Sequence, residues 1–125
     1  MQKFICVAVA ILVISSVAAA FAPNDVHEAA GKCRLENGIQ SDAELNNVND
    51  RKVKCYFGCF MREMGMIVNG KVNPDKEIEL IKTITPEQYN EEIKAKVYEC
   101  ANITSVITDV CELGMTSYLC VFGKV

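Results

Sequence analysis

The stretch Val53–Met64, VKCYFGCFMREM, decides the fold. Val53, Tyr56, Phe57, Phe60, Met61 and Met64 follow the i, i+3, i+4, i+7, i+8, i+11 spacing of one helical face. At about 100° per residue, Cys55 and Cys59 project roughly opposite the centre of that stripe. The helix is therefore expected to be engaged on two sides, by apolar packing on one and by covalent tethers on the other. The rest of the chain is expected to wrap around it.

The chain has 125 residues, enough for one domain. Its start reads as a secretory signal. Lys3 supplies a charged beginning, Phe4–Ile14 an apolar run, and Ala18-Ala19-Ala20 and Ala20-Phe21-Ala22 two A-x-A-like cleavage sites. The apolar run is short for a membrane anchor and no stop-transfer pattern follows. The expected division is a signal peptide over residues 1–20, cleaved after Ala20 or Ala22, and one domain over residues 21–125. The mature protein is expected to be secreted and to lack a membrane span. Cleavage removes Lys3 and Cys6, so seven cysteines become six and the net charge moves from −3 to −4. That acidity argues against nucleic acid or anionic membranes as partners, which a basic patch would have to meet. An even cysteine count in an oxidising compartment reads as three disulfides.

Helical signals fill the remaining chain. Val26, Ala29, Ala30 and Cys33 form one stripe, with Asn24 or Asp25 as a candidate start cap and Gly38 as the stop. Ser41-Asp42-Ala43-Glu44 is a capping box expected to open a short helix that buries Leu45 and Val48. After the Val53–Met64 helix, Met66–Val72 is apolar and turns around Asn69-Gly70; Met66–Val68 is the one candidate strand. Asn73-Pro74-Asp75 reads as cap, proline at the first helical position and an acid in the first turn, with Ile78, Ile81 and Ile84 on one face. Thr85-Pro86-Glu87-Gln88 repeats the capping signal ahead of Tyr89, Ile93, Val97 and Cys100. Asp109 can cap a last helix that is apolar nearly all round, hence expected to be surrounded by protein. The fold class is all-α: about six short helices.

Six cysteines allow fifteen pairings. Cys55 and Cys59 lie one helical turn apart, with Cβ atoms about 6 Å apart, whereas a disulfide needs about 3.8 Å. Excluding that pair removes three of the fifteen, and geometry leaves the other twelve open. The gaps between Cys33, Cys55, Cys59, Cys100, Cys111 and Cys120 are 21, 3, 40, 10 and 8 residues. The three- and eight-residue gaps, in that order and beside a signal peptide, resemble the insect odorant-binding protein family of the pheromone- and general-odorant-binding type. The resemblance covers essentially the whole mature chain, and six helices agree with what the family shows. It implies the pairs Cys33–Cys59, Cys55–Cys111 and Cys100–Cys120, an internal ligand pocket, and transport of an odorant, pheromone or lipid-like volatile to receptors through sensory lymph.

Three interlocked staples are compatible with a hollow core. An empty pocket of ~300 Å³ costs about 7 kcal/mol at ~24 cal/mol per Å³. The three bridges contribute at most about 10 kcal/mol in the chain-entropy model. The candidate lining is Phe57, Phe60, Met61, Met64, Ile67, Ile78, Ile81, Ile84, Tyr89, Ile93, Val97, Met115, Tyr118 and Phe122. Methionines refit around variable shapes, and tyrosine hydroxyls can orient an alcohol, aldehyde or acid. Expected partners are a small apolar ligand and an olfactory receptor, with the protein a monomer or weak homodimer.

Catalytic signals are weak. Gly65–Lys71 matches the first seven positions of a phosphate-binding loop, but Val72 stands where Ser or Thr must hold Mg²⁺. His27 is the one histidine, so neither a catalytic triad nor a His/Cys zinc site can be completed with bridged cysteines. Asn102-Ile103-Thr104 is a glycosylation sequon at a helix end. Glu91, Glu92 and Glu99 read as a solvated helix face rather than paired acids. No enzyme, metal or cofactor is expected. The competing reading is a secreted interaction protein of the salivary or seminal kind, using the same scaffold with a filled core.

Overall fold

The computed structural model describes residues 23–123. The expected signal segment, its cleavage sites and Cys6 lie outside the described residues. Five α-helices occur among those described: α1 (Pro23–Asn37), α2 (Arg51–Glu63), α3 (Pro74–Ile84), α4 (Glu91–Ile103) and α5 (Val110–Phe122). A two-stranded hairpin, β1 (Ile67–Val68) with β2 (Lys71–Val72), separates α2 from α3. The fold is all-α in class.

Local sequence accounts for most boundaries. Asp50 accepts a hydrogen bond from the Lys52 amide at 3.0 Å and starts α2. Asn73 and Asp109 do the same for α3 and α5, the latter through the Cys111 amide at 3.0 Å. Gly38 ends α1 at a φ of 67°, and the Ile39 amide reaches back to the Arg34 carbonyl at 2.9 Å, closing a Schellman motif. The Asn69-Gly70 turn has positive φ at both residues, 54° and 77°, as a two-residue hairpin loop requires.

Three expected boundaries differ. Asn24 and Asp25 fall inside α1, which already includes Pro23, so neither stands ahead of it as a cap. The capping box at Ser41–Glu44 is made, the Ser41 amide donating to the Glu44 carboxylate at 2.9 Å, but it opens only a 3-10 turn, Asp42–Asn46. Leu45 and Val48 are half-buried against the core. Asn46-Asn47 follow at once, and two polar turn formers offer the backbone competing hydrogen bonds. The Thr85 signal likewise yields one 3-10 turn, Pro86–Gln88, and the chain extends at Tyr89 before α4 starts. Asn90 is the true cap, accepting from the Ile93 amide at 2.8 Å, while the Thr85 hydroxyl donates back to the Ile81 carbonyl at 3.3 Å.

α2 is the organising element, and its most extensive packing is against α5. The disulfide Cys55–Cys111 joins these two helices, Cys33–Cys59 joins α1 to α2, and Cys100–Cys120 joins α4 to α5. Contacts between α2 and α5 run in the same sequence sense. Arg51 pairs with Asp109 at 2.6 Å, Lys54 with Glu112 at 3.0 Å, then Cys55 with Cys111 and Gly58 with Gly114. The two helices therefore travel roughly parallel from a pinned end. The core falls into three clusters: α1, α2 and the hairpin around Met61 and Leu113; α1 with α2 around Val53 and Met115; and α3, α4 and α5 around Ile78, Val97 and Val121.

Candidate functional site

Where α2, α3 and α5 meet, they leave an apolar pocket partly open to the surface. A cavity of about 200 Å³ lies there with almost entirely apolar walls. α2 contributes Phe57, Phe60 and Met61, the following loop Met66, α3 Glu77, Leu80 and Ile84, its end Thr85, and α5 Tyr118 and Phe122. The aromatic residues form a continuous wall: Phe57 and Tyr118 have ring centroids 4.8 Å apart, and Tyr118 and Phe122 5.3 Å. On the other side of Phe57 and Phe60, Tyr56 backs them at 5.4 and 6.4 Å. Ring pairs at these separations attract one another beyond their area burial.

The α3 side of the cavity follows from spacing. Glu77, Leu80 and Ile84 stand at i, i+3 and i+7 and share a stripe facing α2. Ile78 and Ile81, one position round the helix, turn instead to α4 and α5. One helix thus serves a packed cluster with one edge and the cavity with the other.

Glu77 is the single acid in this lining and is 5 % exposed. Its Oε1 is buried and has no hydrogen-bond partner. Burial alone pushes its carboxyl up from 4.5 to about 7, because an apolar surrounding penalises the charged form. Near neutral pH the group is therefore split between acid and carboxylate.

A second, wider cleft of about 580 Å³ borders the first and shares Thr85, Tyr118 and Phe122 with it. Its other walls are mostly polar, among them Glu87, Gln88, Asn90, Glu92 and Lys96. Tyr118 and Phe122 therefore form a partition between an apolar chamber and a wetter vestibule.

Of the fourteen residues expected to line a pocket, Phe57, Phe60, Met61, Ile84, Tyr118 and Phe122 line the chamber. Ile93 lines the vestibule. The other seven are placed in packed clusters: Met64 and Ile67 with the hairpin, Met115 with α1 and α2, and Ile78, Ile81, Val97 and Tyr89 between α3, α4 and α5. Met66, Glu77, Leu80 and Thr85 line the chamber without having been singled out. Glu77 had a signal. It sits in the apolar stripe Glu77, Leu80, Ile81, Ile84, where an acid is out of pattern.

The rejected motifs have structural roles or lie at the surface. Gly65 ends α2 and Lys71 donates to the Ser105 carbonyl at 2.7 Å, fixing the hairpin to the turn after α4. His27, Asn102, Glu91, Glu92 and Glu99 are exposed. No group of three metal-ligating side chains occurs among the described residues. No helix among them is long and apolar enough to cross a membrane.

Three disulfides thus tie the helices around a small apolar chamber. This chain belongs to the PBP/GOBP family, that of the insect odorant-binding proteins: the family model matches residues 19–124. The family is one of secreted carriers rather than enzymes. General odorant-binding protein 72 of Anopheles gambiae is 28 % identical over 69 residues, which are 55 % of this chain and 57 % of that protein. The chain thus spans little more than half the length of that curated relative.

Proposed function

We propose that this protein is a secreted, stoichiometric carrier that takes a small hydrophobic molecule into the chamber between α2, α3 and α5 and delivers it to a receptor. Delivery through sensory lymph is part of this reading. The observation that carries it is the chamber itself: about 200 Å³ bounded by aromatic and aliphatic side chains, within a bundle tied by three disulfides. Left unfilled, such a pocket leaves its apolar wall atoms without packing partners, a cost that a scaffold with a filled core would not carry. A ligand that fills it recovers the lost packing contacts. The chamber is larger than the ~150 Å³ cavity that accepts benzene and smaller than typical drug-sized sites. The ligand is accordingly a small volatile rather than a long-chain lipid.

The test is recovery of bound molecules from native protein by mass spectrometry, followed by displacement of a fluorescent apolar probe by short alcohols, esters and monoterpenoids. Displacement at micromolar concentration that Phe60→Trp abolishes supports the reading. Failure of every such compound to bind correctly oxidised protein overturns it and favours the interaction-protein alternative.

A further inference from the structure

A carrier chamber with only aliphatic and aromatic walls would sort ligands by size alone. This one contains a carboxyl group. Glu77 reaches the chamber from the first turn of α3, nine-tenths buried, with Oε1 unpartnered. Buried polar atoms are almost always paired, with protein or with ordered water, so an exception facing a cavity calls for an explanation. Among the described residues, no lysine, arginine or histidine lines the chamber. α2 and α5 contribute only apolar and aromatic side chains and Tyr118 to the lining. The charged neighbours on α3 are engaged elsewhere: Asp75 accepts from Tyr98, Lys76 pairs with Glu79 at 3.5 Å, and Lys82 lies over the Tyr89 ring.

We propose that Glu77 is the recognition point of the chamber, and that it selects a small apolar molecule carrying one basic nitrogen, an alkyl- or arylalkylamine, over an alcohol or an acid of the same size. This deepens the carrier reading and rests on it. An ammonium group satisfies both needs at once: it donates to the orphaned Oε1 and neutralises a carboxylate that is otherwise uncompensated in an apolar site. An alcohol answers only the first. A carboxylate ligand answers neither and adds a like charge. The walls favour the same choice, since the faces of Phe57, Phe60 and Tyr118 attract a cation. The vestibule has Glu87 and Glu92 against Lys96, an acidic balance that concentrates cations at the mouth.

The experiment is calorimetric titration of the oxidised protein with hexylamine, hexanol and hexanoate at pH 8, where Glu77 is mainly carboxylate. The expected result is at least tenfold tighter binding of hexylamine than of hexanol, and no measurable binding of hexanoate. Glu77→Gln should erase that preference while retaining hexanol. Equal or tighter binding of hexanol than of hexylamine by the wild-type protein overturns the assignment and leaves the carrier reading standing. An amine preference that survives in Glu77→Gln also overturns it. No binding of any of the three overturns both. The wild-type ranking is independent of how any variant folds, and near-UV circular dichroism of Glu77→Gln establishes that its chamber is intact.

Discussion

Gly114 of α5 lies directly against Gly58 of α2. A Cβ built on Gly114 would stand 2.4 Å from the Gly58 amide nitrogen, and one on Gly58 would stand 2.4 Å from the Val110 carbonyl oxygen. Both obstacles are backbone, which cannot swing aside as a side-chain tip can. Each glycine is therefore required by the crossing. Gly114→Ala and Gly58→Ala are each expected to cost at least the ~1–3 kcal/mol of an overpacked core. Urea unfolding of the oxidised variants measures this. A change below about 0.5 kcal/mol in both would mean that the helices separate freely.

Glu77 should make the folded state sensitive to pH. Folding raises its pKa from 4.5 to about 7, so the folded protein binds that proton more tightly than the unfolded chain does. The corresponding stabilisation is fully present below about pH 4.5 and is lost as pH rises through about 7, on the order of 3 kcal/mol in all. Glu77→Gln should flatten the stability profile between pH 5 and 8 and be more stable than the wild type at pH 8. Thermal melts across that range, with ligand absent, provide the check. A variant whose profile keeps the wild-type slope would place the titration elsewhere.

The chamber wall should matter for ligand as well as for stability. Phe57 and Phe60 are half-buried and face the cavity. Truncation of either to alanine is expected to cost somewhat less than the ~3–5 kcal/mol of a fully buried phenylalanine. It should also weaken probe binding several-fold through loss of contact area. Lower stability with unchanged binding would show that these rings are only core.

The three disulfides should not be equivalent. Cys55–Cys111 closes 56 residues, against 26 for Cys33–Cys59 and 20 for Cys100–Cys120. The chain-entropy model gives ~4 kcal/mol for the longest loop and ~3 kcal/mol for the shortest. The double variant Cys55→Ser/Cys111→Ser is expected to be the least stable of the three paired removals in denaturant titrations. It also frees the α2–α5 crossing, which widens the gap.

Helix identity was legible in the sequence wherever a stripe and a cap agreed, as at Asn73-Pro74 before Ile78 or Asp109 before the last helix. It failed where a capping signal was followed by nothing that could extend it. Ser41–Glu44 and Thr85–Gln88 each formed a single turn, because polar residues or an extended Tyr89 followed. The cavity was legible only as a set of apolar positions. Periodicity states which residues face inward, but whether the neighbour opposite is a side chain or empty space depends on how three helices meet. Ile81 and Ile84 illustrate this: they share a stripe, yet one packs against α4 and α5 and the other faces the chamber. Glu77 is inconspicuous in the sequence because an acid among lysines and glutamates looks solvated until its place in that stripe is counted.

The α2–α5 pair is laid out like a pair of tongs. Ion pairs and a disulfide clasp one end, two glycines form the pivot, and the aromatic residues that touch the chamber lie at and beyond it. The gape of such a tool is set at the pivot. The spacing of the two helices at the chamber is therefore set by two residues with no side chains at all, neither of which lines it. A substitution at Gly58 or Gly114 that the helices accommodated by moving apart would reshape the chamber while every residue lining it stayed the same.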